Sequence, residues 1–300
     1  MRGSVEEQSR GEGLTKRMIC LVTAVSVGLV SLAVSAAKVE VVKVRSEAMG
    51  KDVPLSVILP DAYGKDSGRR FPVVYALHGA GGSHENYTLP FMGVRGCADK
   101  YGIIVACPDG GKTSWWLDSS VDPKMKYETH VIKEVVPYVD AHYRTQADRR
   151  HRAIMGGSMG GHGACFLGIR HKDLFGAVGN IFGGVDLRPF PDQWDIKLRL
   201  GTIAEHPEYW KEYSVVSQVE NLKNGELAFI SVLGTSDFFL QVNRDLHEIM
   251  IKRGIEHDYV EVRAESDRMS SHGGPFHPRG AAVVLRFLDN FFSTGRGRLM

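Results

Sequence analysis

The sequence predicts an α/β fold, a mostly parallel central sheet with helices on both faces, and three observations lead there. Phe71–Leu77, Ile103–Cys107 and Leu227–Leu233 are short, nearly continuous apolar runs without polar alternation, and such runs form strands buried on both faces. Stretches of helical character separate them, and strands alternating with helices imply right-handed crossovers between parallel neighbours. Glycines gather just after the runs, as in His78-Gly79-Ala80-Gly81-Gly82 and Asp109-Gly110-Gly111, at the strand ends where a parallel sheet places ligand chemistry.

The chain begins differently. Lys16-Arg17 precedes an uncharged, largely apolar run from Met18 to Val34, followed by Ser35, Ala36 and Ala37. This is the layout of a secretory signal peptide cleaved near Ala36 or Ala37. A membrane anchor is the alternative, but the run falls short of the ~20 apolar residues that span a bilayer. Residues before Lys16 read as an unstructured leader, or as an over-extended start with Met18 the true initiator. We therefore expect a leader over residues 1–37 and one catalytic domain over 38–300, exported to the cell exterior or periplasm, with no stable membrane insertion once the leader is removed.

From Lys38 the elements follow in order. Lys38 to Arg45 and Val53 to Leu59 alternate apolar and polar residues and read as an antiparallel hairpin at the sheet edge. After a polar loop come the strand ending at Leu77, a helix from about Phe91 to Tyr101, and the strand Ile103–Cys107. Glu128 to Tyr143 reads as a helix with Val131, Val135, Val136 and Val139 on one stripe, and with Pro137 as a kink or late start. A strand from Arg152 to Met155 and a helix from Gly161 to Arg170 come next, then a strand from Ala177 to Phe182. Residues 183–225 carry no strong period and form either a surface excursion or a lid. Leu227 to Leu233 is a strand, Leu240 to Arg253 a helix, Tyr259 to Arg263 the last strand and Ala281 to Phe292 the closing helix.

Composition removes some functions. Lys and Arg number 37 against 35 Asp and Glu, a net charge of +2, and no basic stripe interleaves with aromatics, so nucleic-acid binding has no support. Of the 4 cysteines, Cys20 belongs to the leader. Cys97, Cys107 and Cys165 form an odd set without metal-ligand spacing, so neither a disulfide framework nor a metal site is indicated. Cys165 lies on an apolar helix, where a small buried hydrophobe is expected.

The chemistry centres on Gly156-Gly157-Ser158-Met159-Gly160. This fits G-x-S-x-G, in which a serine sits on a tight strand-to-helix turn with its hydroxyl exposed. Glycines remove the side chains that would collide there, and the serine takes a strained conformation. The first helical turn brings free N–H groups and a positive dipole end to the place where a negative oxygen would develop in ester cleavage. By itself the pattern also suits plain packing or phosphate binding.

A serine hydroxyl needs a histidine base, and the histidine needs a carboxylate to set its tautomer and stabilise its cation. In a chain ordered Ser, acid, His, Asp109 comes too early. Asp186 and Asp237 each follow a later strand; Asp237 is preferred because Leu233-Gly234-Thr235-Ser236-Asp237 sets it at the end of a buried strand. His272 and His277 both fall in the expected last loop, Glu265 to Arg279, whereas His257 precedes the last strand. His272, flanked by Ser271 and Gly273-Gly274, is preferred over His277. The two backbone donors of an oxyanion site are expected at Met159 and Ala80. His78 reads as structural. Trp115, Trp116, Tyr127, Glu128 and His162 are candidates to line a substrate pocket, although aromatics at strand ends also serve as core and His162 as a packing residue.

Taken together, His78-Gly79 with its glycines, Ser114-Trp115-Trp116-Leu117-Asp118-Ser119, Lys126-Tyr127-Glu128-Thr129, Arg152 to Ala164 and Leu233-Gly234-Thr235-Ser236-Asp237-Phe238 resemble, in this order, the putative-esterase family of α/β-hydrolases. That family includes tributyrin-type, feruloyl and acetyl xylan esterases, S-formylglutathione hydrolases and mycolyltransferases. The resemblance covers nearly all the chain after the leader and is strongest to the tributyrin-type and feruloyl-type branch. It implies Ser158, Asp237 and His272 as the triad, with Ala80 and Met159 as oxyanion donors and no cofactor. One departure is visible: family members usually carry Gly-Gly-His or Gly-Thr-His before Asp or Ser and Trp, where this chain has Ser271-His272-Gly273-Gly274-Pro275-Phe276. The family histidine stands about four helical turns before a Phe-Leu pair, which matches His272 and Phe287-Leu288.

The implied function is a secreted serine carboxylesterase acting on short-chain acyl, acetyl or feruloyl esters of carbohydrate origin, small molecules or oligosaccharides. The alternatives are an acyltransferase that passes the acyl group to a sugar or lipid alcohol, and a non-enzymatic carbohydrate-binding surface protein.

Overall fold

A computed structural model describes residues 37–263 and 272–299. Of the expected leader over residues 1–37, residues 1–36 lie outside the described residues, as does Ser271. The sheet has 8 strands: β1 (Lys38–Ser46), β2 (Lys51–Leu59), β3 (Val73–Leu77), β4 (Ile104–Pro108), β5 (Arg152–Gly157), β6 (Ala177–Ile181), β7 (Ala228–Gly234) and β8 (Asp258–Val262). Their spatial order is β1-β2-β4-β3-β5-β6-β7-β8. The hairpin β1–β2 is antiparallel, as is the β2–β4 pair, and β4 to β8 run parallel to one another through β3.

Alternation along the strands builds two cores. In β3, Val73, Tyr75 and Leu77 point into one hydrophobic cluster and Val74 and Ala76 into the other. Helix α1 (Val94–Tyr101) and the closing helix cover the second face, with Val94, Ala98, Val284 and Leu288 buried there. The first face takes a long helix over residues 127–142, here α2, then α3 (Met159–Arg170) and α4 (Leu240–Lys252), through Val131, Phe166 and Leu246. Both faces of the sheet are thus filled, which is why its strands lack polar alternation.

Three elements differ from the sequence reading. Helix α2 contains a π-helical stretch at His130–Val135, just before Pro137; proline cannot donate to the preceding turn, and the helix widens to accommodate it. The closing helix, α5, runs Phe276–Thr294, so His277 lies in its first turn and not in a loop. Pro275 and Pro278 mark that start, because the first helical N–H groups have no intrahelical partner to lose. Residues 183–225 are also no loose excursion: Val185, Leu187, Ile196, Leu200, Trp210 and Val215 are fully buried in the first core.

Strand order reverses around β3, since the chain moves from β3 out to β4 and returns past it to β5. This is the topological switch point of an open parallel sheet, where a crevice opens beyond the carboxyl ends of the strands. Leu77 of β3 stands opposite Gly156 of β5, so the glycine loop after β3 and the Ser158 turn after β5 emerge side by side.

Candidate active site

Ser158 links β5 to α3 with φ 59° and ψ −123°, a conformation that costs a non-glycine residue about 1–3 kcal/mol. Its surroundings enforce it. Gly156 and Gly160 pack against each other, and a Cβ at Gly160 would overlap the Leu77 carbonyl. Ser158 N–H donates to Ile181 O at 3.0 Å, tying the turn to the end of β6.

His272 Nε2 lies 2.8 Å from Ser158 Oγ and His272 Nδ1 lies 2.9 Å from Asp237 Oδ2. A carboxylate only accepts, so Nδ1 carries the proton and Nε2 turns its lone pair to the serine hydroxyl. The Asp237 side chain is fully buried, and its other oxygen accepts the Phe239 N–H at 2.7 Å. Phe182, Phe238 and Phe239 surround the imidazole, with ring centroids 4.5, 4.1 and 5.4 Å away. The chain from carboxylate to hydroxyl is continuous and shielded.

The alternatives stand elsewhere. Asp186 pairs with Arg188 at 2.8 Å and accepts from Ser214. Asp109 accepts the N–H groups of Gly111 and His84. His257 lies 2.7 Å from His247. His277 packs beneath the turn, with Nε2 3.1 Å from the Tyr87 hydroxyl; a Cβ at Gly157 would meet that nitrogen at 2.6 Å. Burial lowers the pKa of His277 to about 4, and the neighbouring His272 adds to the effect.

The glycine loop reaches the serine. A Cβ at Gly79 would stand 3.2 Å from Ser158 Cβ, so the backbone at Gly79 lies against Ser158 with little room for a side chain. Met159 opens α3, and its N–H is one of the helix's unpaired first donors. Among the described residues neither Ala80 N–H nor Met159 N–H has a hydrogen-bond partner.

The expected pocket residues take other places. Trp115 and Trp116 are buried, with φ of 55° and 61°; Trp116 Nε1–H donates to His78 O and Trp115 Nε1–H to Trp194 O. His162 is buried with Nδ1 3.0 Å from Trp115 O and Nε2 2.8 Å from Tyr213 O. A neutral ring donates to only one of the two at a time, and burial lowers its pKa to about 4. Tyr127 receives a hydrogen bond from Lys51 Nζ. Glu128 binds Arg170 and His171 at 2.9 and 2.8 Å, at the end of α3 remote from Ser158, about 18 Å along the helix. These side chains brace the site from behind or stand away from it, because each finds partners in the core or on α3.

Comparison with known proteins gives the family and the fold. The family model described as "Putative esterase" matches residues 46–271. The chain belongs to that family. An esterase of Mycobacterium tuberculosis is 30% identical over 247 residues, which cover 73% of this chain and 53% of the relative, so the chain spans about half the length of that protein. An endo-1,4-beta-xylanase/feruloyl esterase of Xylanibacter ruminicola is 31% identical over 151 residues, 46% of this chain and 20% of the relative. Among solved structures, a ferulic acid esterase superposes with a TM-score of 0.72 at 25% identity, over 85% of this chain and 98% of its own. The fold is that of the α/β-hydrolases.

For this member of the esterase family, sequence reasoning missed the aromatic pair beside His272. Phe238 is 51% exposed beside His272, and Trp194 stacks on it with centroids 5.3 Å apart and planes 19° apart. Trp194 and the following Asp195 both have positive φ, 44° and 58°. An aromatic directly after the acid was the available signal for Phe238. Trp194 lies in the aperiodic segment and carried none.

Proposed function

We propose that the chain is a serine carboxylic ester hydrolase. The observation that carries this reading is the hydrogen-bonded series Asp237–His272–Ser158, ending beside two unpartnered backbone donors. Ser158 Oγ attacks the ester carbonyl while His272 Nε2 takes its proton, and Asp237 stabilises the resulting imidazolium. The carbonyl oxygen becomes an oxyanion held by the N–H groups of Ala80 and Met159. His272 returns the proton to the departing alcohol, leaving an acyl-enzyme. Water then attacks this ester with His272 as base, and the carboxylic acid leaves as Ser158 regains its proton.

Short acyl, acetyl and feruloyl esters of carbohydrate origin are the substrates this reading favours. The ferulic acid esterase and the xylanase/feruloyl esterase among the similar proteins support it, as does the exposed Phe238 with the half-buried Trp194 stacked on it. The Lys16 to Ala37 pattern supports export, which would bring the protein to polymer-derived esters. Among the described residues no helix is long and apolar enough to cross a membrane.

A panel of p-nitrophenyl acyl esters and methyl hydroxycinnamates, with products analysed in water and with a sugar acceptor present, tests the proposal. Hydrolysis that disappears in Ser158→Ala supports it. A dominant transfer product would make the protein an acyltransferase, and turnover no higher than background in both the parent and Ser158→Ala would leave only a binding role.

A further inference from the structure

We propose that His78 is a positioning residue: its neutral, Nδ1-protonated ring holds the Gly79–Ala80 peptide in the orientation that presents the Ala80 N–H to the reacting carbonyl. The inference rests on the ester-hydrolase reading for its kinetic consequence, but not for its geometry.

His78 follows β3 and is 1% exposed. Gly110 N–H donates to His78 Nε2 at 2.8 Å. A backbone N–H can only donate, so Nε2 is the bare nitrogen and the ring proton sits on Nδ1. Nδ1 is 2.8 Å from Gly79 O, an acceptor, and the bond direction is therefore set. Gly82 N–H donates to the same oxygen at 3.0 Å. Two donors thus hold the Gly79 carbonyl.

The peptide plane converts this into catalysis geometry. In a trans amide the C=O and the following N–H point in opposite directions, so fixing Gly79 O fixes the Ala80 N–H on the other side. Gly79 lies against Ser158 Cβ, so the plane being fixed is the one beside the nucleophile. If this peptide turned over, a carbonyl oxygen would replace the donor at the oxyanion position and oppose the developing charge. Such a turn would also strand His78 Nδ1–H without a partner in the core.

The surrounding packing keeps the ring in place and neutral. Trp116 meets it edge-on at 5.0 Å and donates Nε1–H to the His78 carbonyl at 3.1 Å. A Cβ at Gly82 would stand 2.9 Å from Nδ1, so the loop has closed over the ring as far as a glycine permits. Burial lowers the His78 pKa. Protonating Nε2 would set an N–H against the Gly110 N–H, so the geometry independently calls for the neutral ring.

Two side-chain amides separate this role from a merely structural one. Asn places its NH2 near the Nδ1 position and keeps the bond to Gly79 O, whereas Gln places its oxygen near Nε2 and keeps the bond from Gly110. In the full-length chain with p-nitrophenyl acetate, His78→Gln is expected to lose about 100-fold in kcat with KM changed less than about threefold. His78→Asn is expected to stay within about tenfold of the parent, with both variants matched in thermal midpoint. The reverse ranking, or a loss that tracks stability alone, overturns the proposal. Long-range 1H–15N spectroscopy of the His78 ring supplies a readout that does not depend on turnover. A protonated Nδ1 and a bare Nε2 are expected, and an Nε2–H tautomer sinks the assignment even if esterase activity is found. Absence of ester turnover in the parent, with the Nδ1–H tautomer present, would overturn the hydrolase reading while upholding the peptide geometry.

Discussion

Phe238 stacks on the imidazole of His272, with ring centroids 4.1 Å apart and planes 28° apart, while 51% of its own surface remains open. One face of the phenyl ring thus steadies the histidine, and its open surface is available to a substrate. Trp194 continues the aromatic surface from the aperiodic segment.

Removing the phenyl ring should therefore discriminate between substrates. An aromatic stack is worth about 0.5–1.5 kcal/mol beyond its buried area. For Phe238→Ala we expect kcat/KM toward methyl hydroxycinnamates to fall about tenfold, and that toward p-nitrophenyl acetate to fall no more than about threefold. Parallel steady-state kinetics on the two esters check this; equal losses would show that Phe238 serves only to steady His272.

The two histidines of the last segment should separate cleanly. His272 touches Ser158, whereas His277 lies under the turn against Tyr87 and is buried. We expect His272→Ala to reduce kcat by at least about a thousandfold with little change in thermal midpoint. His277→Ala should lower the midpoint by opening a cavity beneath Gly157, with measurable turnover retained. The assignment is wrong if His277→Ala abolishes turnover and His272→Ala does not.

The strain at Ser158 is measurable as stability. At φ 59° glycine is at ease and alanine is not. Ser158→Gly should be more stable than Ser158→Ala by about 1 kcal/mol, with both inactive. Chemical denaturation of the two variants gives the comparison, and equal midpoints would mean that the turn stores no strain.

Acid should weaken the fold through buried rings. His162 and His277 have their pKa lowered from 6.5 to about 4. As pH falls below about 6.5 the unfolded chain takes up the protons first, so stability declines until the folded rings also protonate near pH 4. Each ring accounts for about 3 kcal/mol of that decline, from 1.36 kcal/mol per pKa unit. His277→Gln, which does not titrate, should flatten the dependence of unfolding free energy on pH between 6.5 and 4. An unchanged slope would remove His277 from the account.

Much of this molecule is written locally. Continuous apolar runs mark strands covered on both faces, and the Gly-x-Ser-x-Gly spacing marks a turn too tight for side chains, so the α/β architecture and the place of Ser158 follow from the chain alone. The chain also shows Ser158, Asp237 and His272 each following its own strand, and the fold sets them within hydrogen-bond distance of one another. Tertiary structure decided what depends on partners distant in sequence. His272 and His277 are separated by a few residues, yet Phe276 begins a helix and carries one imidazole under the turn while the other reaches over it. Glu128 turned to Arg170 and His171, since a carboxylate leaving water takes the nearest hydrogen-bond donors, and Trp115 and Trp116 went inward where glycines left room for them. Phe238 stayed outside because the core beneath it was already filled by Phe239, and only the packed molecule shows which of two adjacent phenylalanines that will be.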